Sequence, residues 1–440
     1  MLIPHKVKNK GKYISFHYLR GWKARKIRKV QEISPQTAIY KAAVEVDNRI
    51  NRKLQTSHFA RKILCKFTKN REEKKIPISV KEYCDSKGIP RNVLENARVR
   101  YEYKAPCFEK SEEDFMPFST PEIYYSKIQN ASILGMTDMI IIGDYILNDR
   151  FDFPNSSVMD FCSRNVIEAG DEFILYAHRT EVLKEAISLI GTASNNYYHW
   201  CFDILSKMAY VNRFPELKDV PLLIDISVSR HSSYLELLRY VDKYTHPIRY
   251  VERGCINLVE TLHYFSPCTF SNVYWKKEPH ESMPRFVKPR AVIEMYRAAL
   301  LHSNINVETF PEKVFLTRGA DKVKRLINEG EVASVLMEHG FKLVDPEKLS
   351  IVDQAALFNA AKWIVGDEGA ALVNAMYSGE NTTVVCIMPE KWNNRQFTTI
   401  AHMAGAKCWN LDAEETEVDR YHQLDLNYLK RFISEMCSEE

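Results

Sequence analysis

The chain has 440 residues, 45% hydrophobic and 11% aromatic, enough for two domains at roughly 100–200 residues each and for a core that forms without disulfides or metal. Its ten cysteines, Cys65, Cys84, Cys107, Cys162, Cys201, Cys255, Cys268, Cys386, Cys408 and Cys437, are scattered with no close pair and no zinc-site spacing, which excludes a disulfide scaffold and fits a reduced cytosol. No stretch approaches the ~20 apolar residues of a bilayer span and no apolar run follows the early lysines, so neither a membrane-spanning nor a secreted chain is expected.

The net charge of +4 hides an asymmetry: residues 1–75 hold 21 Lys and Arg against 5 Asp and Glu, which leaves 40 against 52 for the rest. Phe16, Tyr18, Leu19, Trp22, Ile27 and Val30 lie among Lys23, Arg25, Lys26, Arg28 and Lys29. On a helix this sets a cationic face beside an apolar one, a form suited to peripheral contact with anionic membrane. The same pattern fits a solvated arm or a helix docked on the chain's own acidic part. No nucleic-acid motif accompanies the charge, so nucleic acid is not expected as a partner. Residues 1–119 are read as a basic, partly helical extension.

From about residue 120 short apolar runs alternate with amphipathic stretches. Strands are predicted at 139–142, 173–176, 221–226 and 248–251, and helices at 197–211 and 233–241. That alternation implies an open sheet covered by helices, and residues 120–285 are read as one α/β domain. Pro279, Pro284 and Pro289 mark a linker over 274–289. In residues 286–440 the alternation is cleanest. A helix at 291–301 is followed by strands at 313–317, 342–344, 363–365, 383–387 and 407–411, with helices at 329–339, 350–361, 370–377, 395–404 and 426–436. Strands separated by such helices pair in parallel through right-handed crossovers, giving a Rossmann-like α/β/α sheet.

The turn Gly366-Asp367-Glu368-Gly369-Ala370-Ala371-Leu372-Val373-Asn374 runs from a buried strand straight into a helix. Glycine lets backbone approach closely, and the first free N–H groups of the helix make an anion site suited to a diphosphate. An ordinary tight turn explains the same residues. Arg318, at the end of the 313–317 strand, is a candidate phosphate anchor. Arg325 fits the same role or an exposed salt bridge, and Asn328 fits the cap of the helix beginning at Glu329. Upstream, Asn196-Tyr197-Tyr198-His199-Trp200-Cys201-Phe202-Asp203 places His199 and Asp203 four residues apart on one helical face, where a carboxylate can orient an imidazole that takes a proton. A satisfied core histidine is the competing reading. Tyr198, Trp200 and their aromatic neighbours fit a sugar-stacking platform or core packing equally well.

In this order, Asn196 to Trp200 with Asp203, then Arg318, Arg325, Asn328, Glu329, Gly340-Phe341, Asp345-Pro346-Glu347, Leu349-Ser350, Gln354 and the turn Gly366 to Asn374, the residues between about 189 and 389 resemble glycosyltransferase family 61. The resemblance implies a GT-B-like fold of two Rossmann-like domains facing across a cleft, and an inverting transfer that works without an active-site metal or cofactor. It implies a nucleotide-sugar donor held by Arg318, Arg325, Asn328, Glu329, Gly366, Glu368, Gly369, Ala370 and Asn374. It implies a glycan or lipid-linked acceptor met by Asn196, Tyr198 and Trp200, with His199 and Asp203 catalytic. The expected setting is surface polysaccharide synthesis (capsule, O-antigen or LPS) at the inner face of the cytoplasmic membrane. A non-catalytic nucleotide-sensing or scaffold protein of the same process is the alternative. The chain departs from the family at one point: the turn commonly reads Gly-x-His-Gly-Ala, and here Glu368 stands at the histidine position.

Overall fold

The computed structural model describes residues 71–104, 106–110, 115–152, 166–169, 172–252, 255–269, 285–286, 289–301, 310–318, 324–389, 396–416 and 421–436. The amphipathic pattern at residues 16–30 and most of the 274–289 linker lie outside them.

The first part of the chain forms β1 (Arg71–Ile78), α1 (Val80–Lys87), β2 (Asn92–Glu95), β3 (Arg98–Lys104), β4 (Phe115–Thr120), β5 (Ile123–Leu134), β6 (Ile140–Ile142), β7 (Tyr145–Leu147), β8 (Val166–Ala169) and β9 (Glu172–Leu189). It continues through β10 (Leu222–Asp225), α2 (Ser232–Val241), β11 (Ile248–Val251), β12 (Cys255–Phe265) and β13 (Arg285–Phe286). Ten of these strands make one sheet in the order β1-β7-β6-β5-β12-β9-β10-β11, with β2 on β5 and β8 on β9, while β13, β4 and β3 form a small separate sheet. β12, β9, β10 and β11 run parallel, whereas β5 pairs antiparallel with β12 and β6. The sheet is thus mixed, which corrects the Rossmann-like expectation for this half. Its β5-β6-β7 neighbours are joined by connections too short for a crossover helix, so they turn back antiparallel.

The extension read over residues 1–119 differs from what the structure shows in its described part. β1 joins β7 and β9, and β2 joins β5, so residues 71–95 are integral to the first sheet, while β3 and β4 belong to the small separate one. Residues 106–110 then cross to the other half, where Phe108 donates its N–H to Asn410 O and buries its ring beside Phe432.

The carboxy-terminal half contains α3 (Arg290–Leu300), β14 (Lys313–Leu316), α4 (Glu329–Glu338), β15 (Lys342–Val344), α5 (Ile351–Ala360), β16 (Trp363–Asp367), a 3-10 helix (Ala370–Tyr377), β17 (Thr383–Pro389), α6 (Gln396–Met403), β18 (Lys407–Glu415), β19 (His422–Gln423) and α7 (Leu426–Met436). β15-β14-β16-β17-β18 are parallel in that order and β19 adds antiparallel at the edge. β17 is buried at every position, as a parallel strand covered on both faces must be. In chain order the parallel strands stand 2-1-3-4-5, so the winding reverses between β14 and β16, and open α/β sheets hold their ligands outside the carboxyl ends of the strands at that reversal.

One apolar core joins the two halves. Trp200, Phe202 and Leu205 from the 197–211 helical segment, Tyr296 from α3, and Leu372, Met376 and Tyr377 from the 3-10 helix belong to the same buried cluster.

Candidate functional site

Residues 197–211 form a helix of changing pitch. Asn196 caps it, its Oδ1 accepting from the backbone N–H of Tyr198 at 3.0 Å and of His199 at 3.4 Å. After one α turn, Leu205 donates to Trp200 O across five residues, a π turn of the kind found at functional sites. His199 Nδ1 and Asp203 Oδ2 lie 2.6 Å apart, with side chains 14% and 12% exposed. The carboxylate fixes the proton on Nδ1 and leaves the Nε2 lone pair free to accept one.

The pair opens on a cavity lined also by Asp138, Arg150, Thr192, Lys207 and Thr269. Gly191 lets the loop after β9 close over the helix, since a Cβ there would stand 2.8 Å from Ile204. Arg150 Nε is 3.5 Å from Asp138 Oδ2. Behind them Asp149 accepts from the hydroxyls of Tyr124 and Tyr264, and burial pushes its carboxyl up to about 6 against those bonds. Lys207 is 6% exposed. Burial lowers its pKa, offset in part by Asp138, Asp149 and Asp203.

A second polar group gathers at the switch point, outside the ends of β14 and β16. Arg318 Nη2 donates to Glu368 O at 3.0 Å, and its backbone N–H to Glu329 Oε1 at 3.2 Å. Arg325 Nη1 meets Glu368 Oε2 at 2.7 Å. Lys324 pairs with Glu329, and His422 Nε2 lies 2.6 Å from Asp367 Oδ1. Burial raises the pKa of Glu368; Arg325 opposes that shift, Asp367 adds to it, and Arg318 and His422 oppose it. The Arg318 guanidinium lies across Gly369 so closely that a Cβ there would overlap Nη2. A cation parked at the amino terminus of a helix is electrostatically misplaced, and an anion between the two relieves the conflict.

The two polar centres flank one joint. Tyr197 OH donates to Asn374 Oδ1 at 3.0 Å, and Asn374 Nδ2 to Gln354 Oε1 at 2.7 Å, while Tyr198 packs edge-on against Phe397. Residues 197–385 match the family model described as Glycosyltransferase 61. The chain carries a glycosyltransferase family 61 segment. It contains the His199–Asp203 pair, the Arg318 crevice and the joint between them. No curated protein matches the chain. Among solved structures, E. coli heptosyltransferase WaaC with ADP aligns at 10% identity over 59% of this chain and 99% of that chain, with a TM-score of 0.28, which is too low to bear on the argument.

The predicted site residues fall into three groups by where the structure places them. His199 and Asp203 meet at the first cavity; Arg318, Arg325, Glu329, Glu368, Gly369 and Ala370 meet at the switch point; the rest are structural. Trp200 is fully buried with Nε1 donating to Tyr234 O, and Tyr198 is buried in the core. These two rings form no sugar platform, because the helix turns them inward. Asn196 spends its side chain on the cap. Asn374 is buried within the joint, and Asn328 leaves its helix uncapped, bridging both the N–H and C=O of Leu424 instead. Gly366 packs under Leu316 and Leu372, a close strand–helix approach rather than a ligand contact. The described lining of the His199 cavity comes wholly from residues 138–269, so the structure does not merge it with the switch-point crevice. Sequence reasoning missed Lys207, Arg150, Asp138, Asp367 and His422. Lys207 had a signal, since it continues the His199, Asp203 stripe at the next interval of four, and Asp367 stands beside Glu368 in the quoted turn; Asp138, Arg150 and His422 come from distant parts of the chain and carried none.

Proposed function

We propose that the chain is an inverting glycosyltransferase of GT-B type, with the nucleotide-sugar donor in the switch-point crevice and the acceptor hydroxyl at His199. The observation that carries this reading is the family 61 match spanning both polar centres, tied together by the Tyr197–Asn374 bond. Asn374 lies five residues past Gly369, about 10 Å along a 3-10 helix, a span of the order of a diphosphate with its sugar. The diphosphate enters between Arg318 and the N–H groups following Gly369, and Arg325 completes the cationic wall once Glu368 yields it. His199, held by Asp203, takes the proton as the acceptor oxygen attacks the anomeric carbon and the C–O bond to the diphosphate breaks. The developing charge on the leaving group is met by preorganised arginine and N–H donors.

Residues 120–285 then serve the acceptor and 286–440 the donor. The acceptor class we assign is a glycan or lipid-linked glycan of surface polysaccharide synthesis, reached at the inner face of the cytoplasmic membrane through the basic segment 1–75.

A panel of nucleotide sugars tested by thermal shift names the donor, because a ligand bound to the folded state alone raises stability by mass action. With that donor, His199→Ala is expected to lower kcat by roughly 10²–10⁴-fold while donor binding persists. Turnover retained in a folded H199A protein removes His199 from the chemistry, and a panel in which no nucleotide sugar binds removes the transferase reading.

A further inference from the structure

The His199 cavity is lined by charge rather than by aromatic rings. Its described polar lining is Asp138, Arg150, Thr192, His199, Asp203, Lys207 and Thr269, with Ile190, Ile204 and Pro267 as the larger apolar members. Each carboxylate has a cationic or imidazole neighbour: Asp203 has His199, and Asp138 has Arg150 at Oδ2, its buried Oδ1 making no hydrogen bond among the described residues. Lys207 differs. Its side chain is more than nine-tenths buried and its ammonium closes no ion pair among the described residues, although Asp138, Asp149 and Asp203 act on it from a distance. An ammonium on a buried residue of the cavity lining, with no ion pair among the described residues, recovers little of its desolvation cost, so the site gains from an anion that arrives at Lys207.

Charge balance through the reaction points the same way. With His199 neutral, Lys207 and Arg150 offset Asp138 and Asp203. When His199 takes the acceptor proton the lining gains one positive charge, and an anion on the acceptor restores neutrality at that moment. His199 and Lys207 stand eight residues apart on the helical segment, about 12 Å along an α-helical axis, so the reacting hydroxyl and the anion belong to opposite ends of the bound unit.

Resting on the transferase reading for its hydroxyl end, we infer that the acceptor carries an oxyanion, a carboxylate or phosphate monoester on the sugar unit, and that Lys207 receives it while His199 faces the hydroxyl. Lys207 is then a specificity-determining residue for an anionic glycan.

The test reads binding without donor. Glucuronate, glucose 6-phosphate and glucose are titrated calorimetrically at one ionic strength into the full chain, wild type and Lys207→Met. The expected result is a preference of about 10–100-fold for a charged sugar in wild type, abolished in K207M and largely kept in Lys207→Arg. The charged sugar that binds better identifies the oxyanion as carboxylate or phosphate. Methionine matches the stem of lysine and removes a buried charge, so the fold should survive; if it does not, the comparison is read on Lys207→Gln and from competition by inorganic phosphate in wild type. Equal binding of glucose, no binding of either charged sugar, or an unchanged preference in the variant overturns the inference. A protein that prefers charged sugars through Lys207 yet transfers from no nucleotide sugar loses the transferase reading, and with it the acceptor role, and keeps only the anionic-sugar site at Lys207.

Discussion

At the scale of single residues, Glu368 governs how freely Arg325 can meet an anion in the switch-point crevice, the donor site of the proposed reading. It stands where family 61 chains commonly carry histidine, and its carboxylate takes Arg325 for itself at 2.7 Å. A diphosphate must compete with that carboxylate for the guanidinium. Glu368 faces Arg325, Asp367, Arg318 and His422, and its pKa is raised chiefly by burial. A raised native pKa means that the fold favours the protonated form, so this contribution to stability is full in acid and is lost as pH rises through the native value. As pH falls toward that value Glu368 becomes neutral and releases Arg325. Donor KM in the wild type is therefore expected to fall as pH is lowered through the raised native pKa of Glu368. Glu368→Gln should bind donor roughly 3–10-fold tighter at neutral pH and flatten that profile, a modest gain because Arg325 is partly exposed. A collapse of kcat with unchanged donor binding would instead assign Glu368 to the chemistry. Gly369 supplies a second check: Gly369→Ala displaces the Arg318 guanidinium and should weaken donor binding by about 10-fold or more, the worth of a charge-assisted contact, with binding at the His199 cavity unchanged by titration.

At the scale of elements, the 197–211 helix meets the 3-10 helix Ala370–Tyr377 through the Tyr197–Asn374 bond, the link between the two polar centres on which the proposed transfer depends. Tyr197→Phe leaves Asn374 Oδ1 without its hydroxyl donor in a fully buried place, at a cost of about 1–3 kcal/mol. Calorimetry should show Tm lowered by a few degrees, at about 2 °C per kcal/mol for a long chain. Enzyme kinetics should show kcat lowered more than donor KM raised, because the donor's own contacts remain; an unchanged kcat would make the joint structural only. This contact was invisible in the sequence, where Tyr197 and Asn374 are far apart. What could be read was local: the strand–turn–helix at Gly366–Gly369, the His199–Asp203 interval, and the βα alternation of residues 313–436 each rest on neighbours in the chain. The aromatic residues misled for the same reason. Tyr198 and Trp200 look alike as core or platform until the direction of the helix face is known, and the π turn that sets it has no sequence signature. The mixed first sheet was hidden because short hairpins such as β6–β7 and the return of β12 beside β9 depend on pairings across the whole domain.

At the scale of the whole molecule, the charge boundary drawn at residue 75 falls inside a strand of the first sheet. β1 begins at Arg71 and pairs with both β7 and β9, and residues 106–110 strap the far half through Phe108 and the Glu109–Arg431 ion pair. A truncation at residue 75 would therefore cut a sheet strand and confuse folding with targeting. A truncation that removes residues 1–70 spares β1 and still deletes 18 Lys and Arg against 3 Asp and Glu. If those residues bring the enzyme to a membrane, the shortened chain should stay in the supernatant with vesicles containing anionic lipid, where the full chain sediments. Full-chain sedimentation should also weaken as salt is raised, because the attraction between exposed charges is screened within about 10 Å at 0.1 M ionic strength. Transfer to a soluble acceptor should be kept, since both polar centres and their joint lie beyond residue 135. Vesicle binding that survives the truncation would move the membrane contact to the body of the protein, and loss of soluble transfer with an unchanged Tm would place the basic segment in the reaction itself.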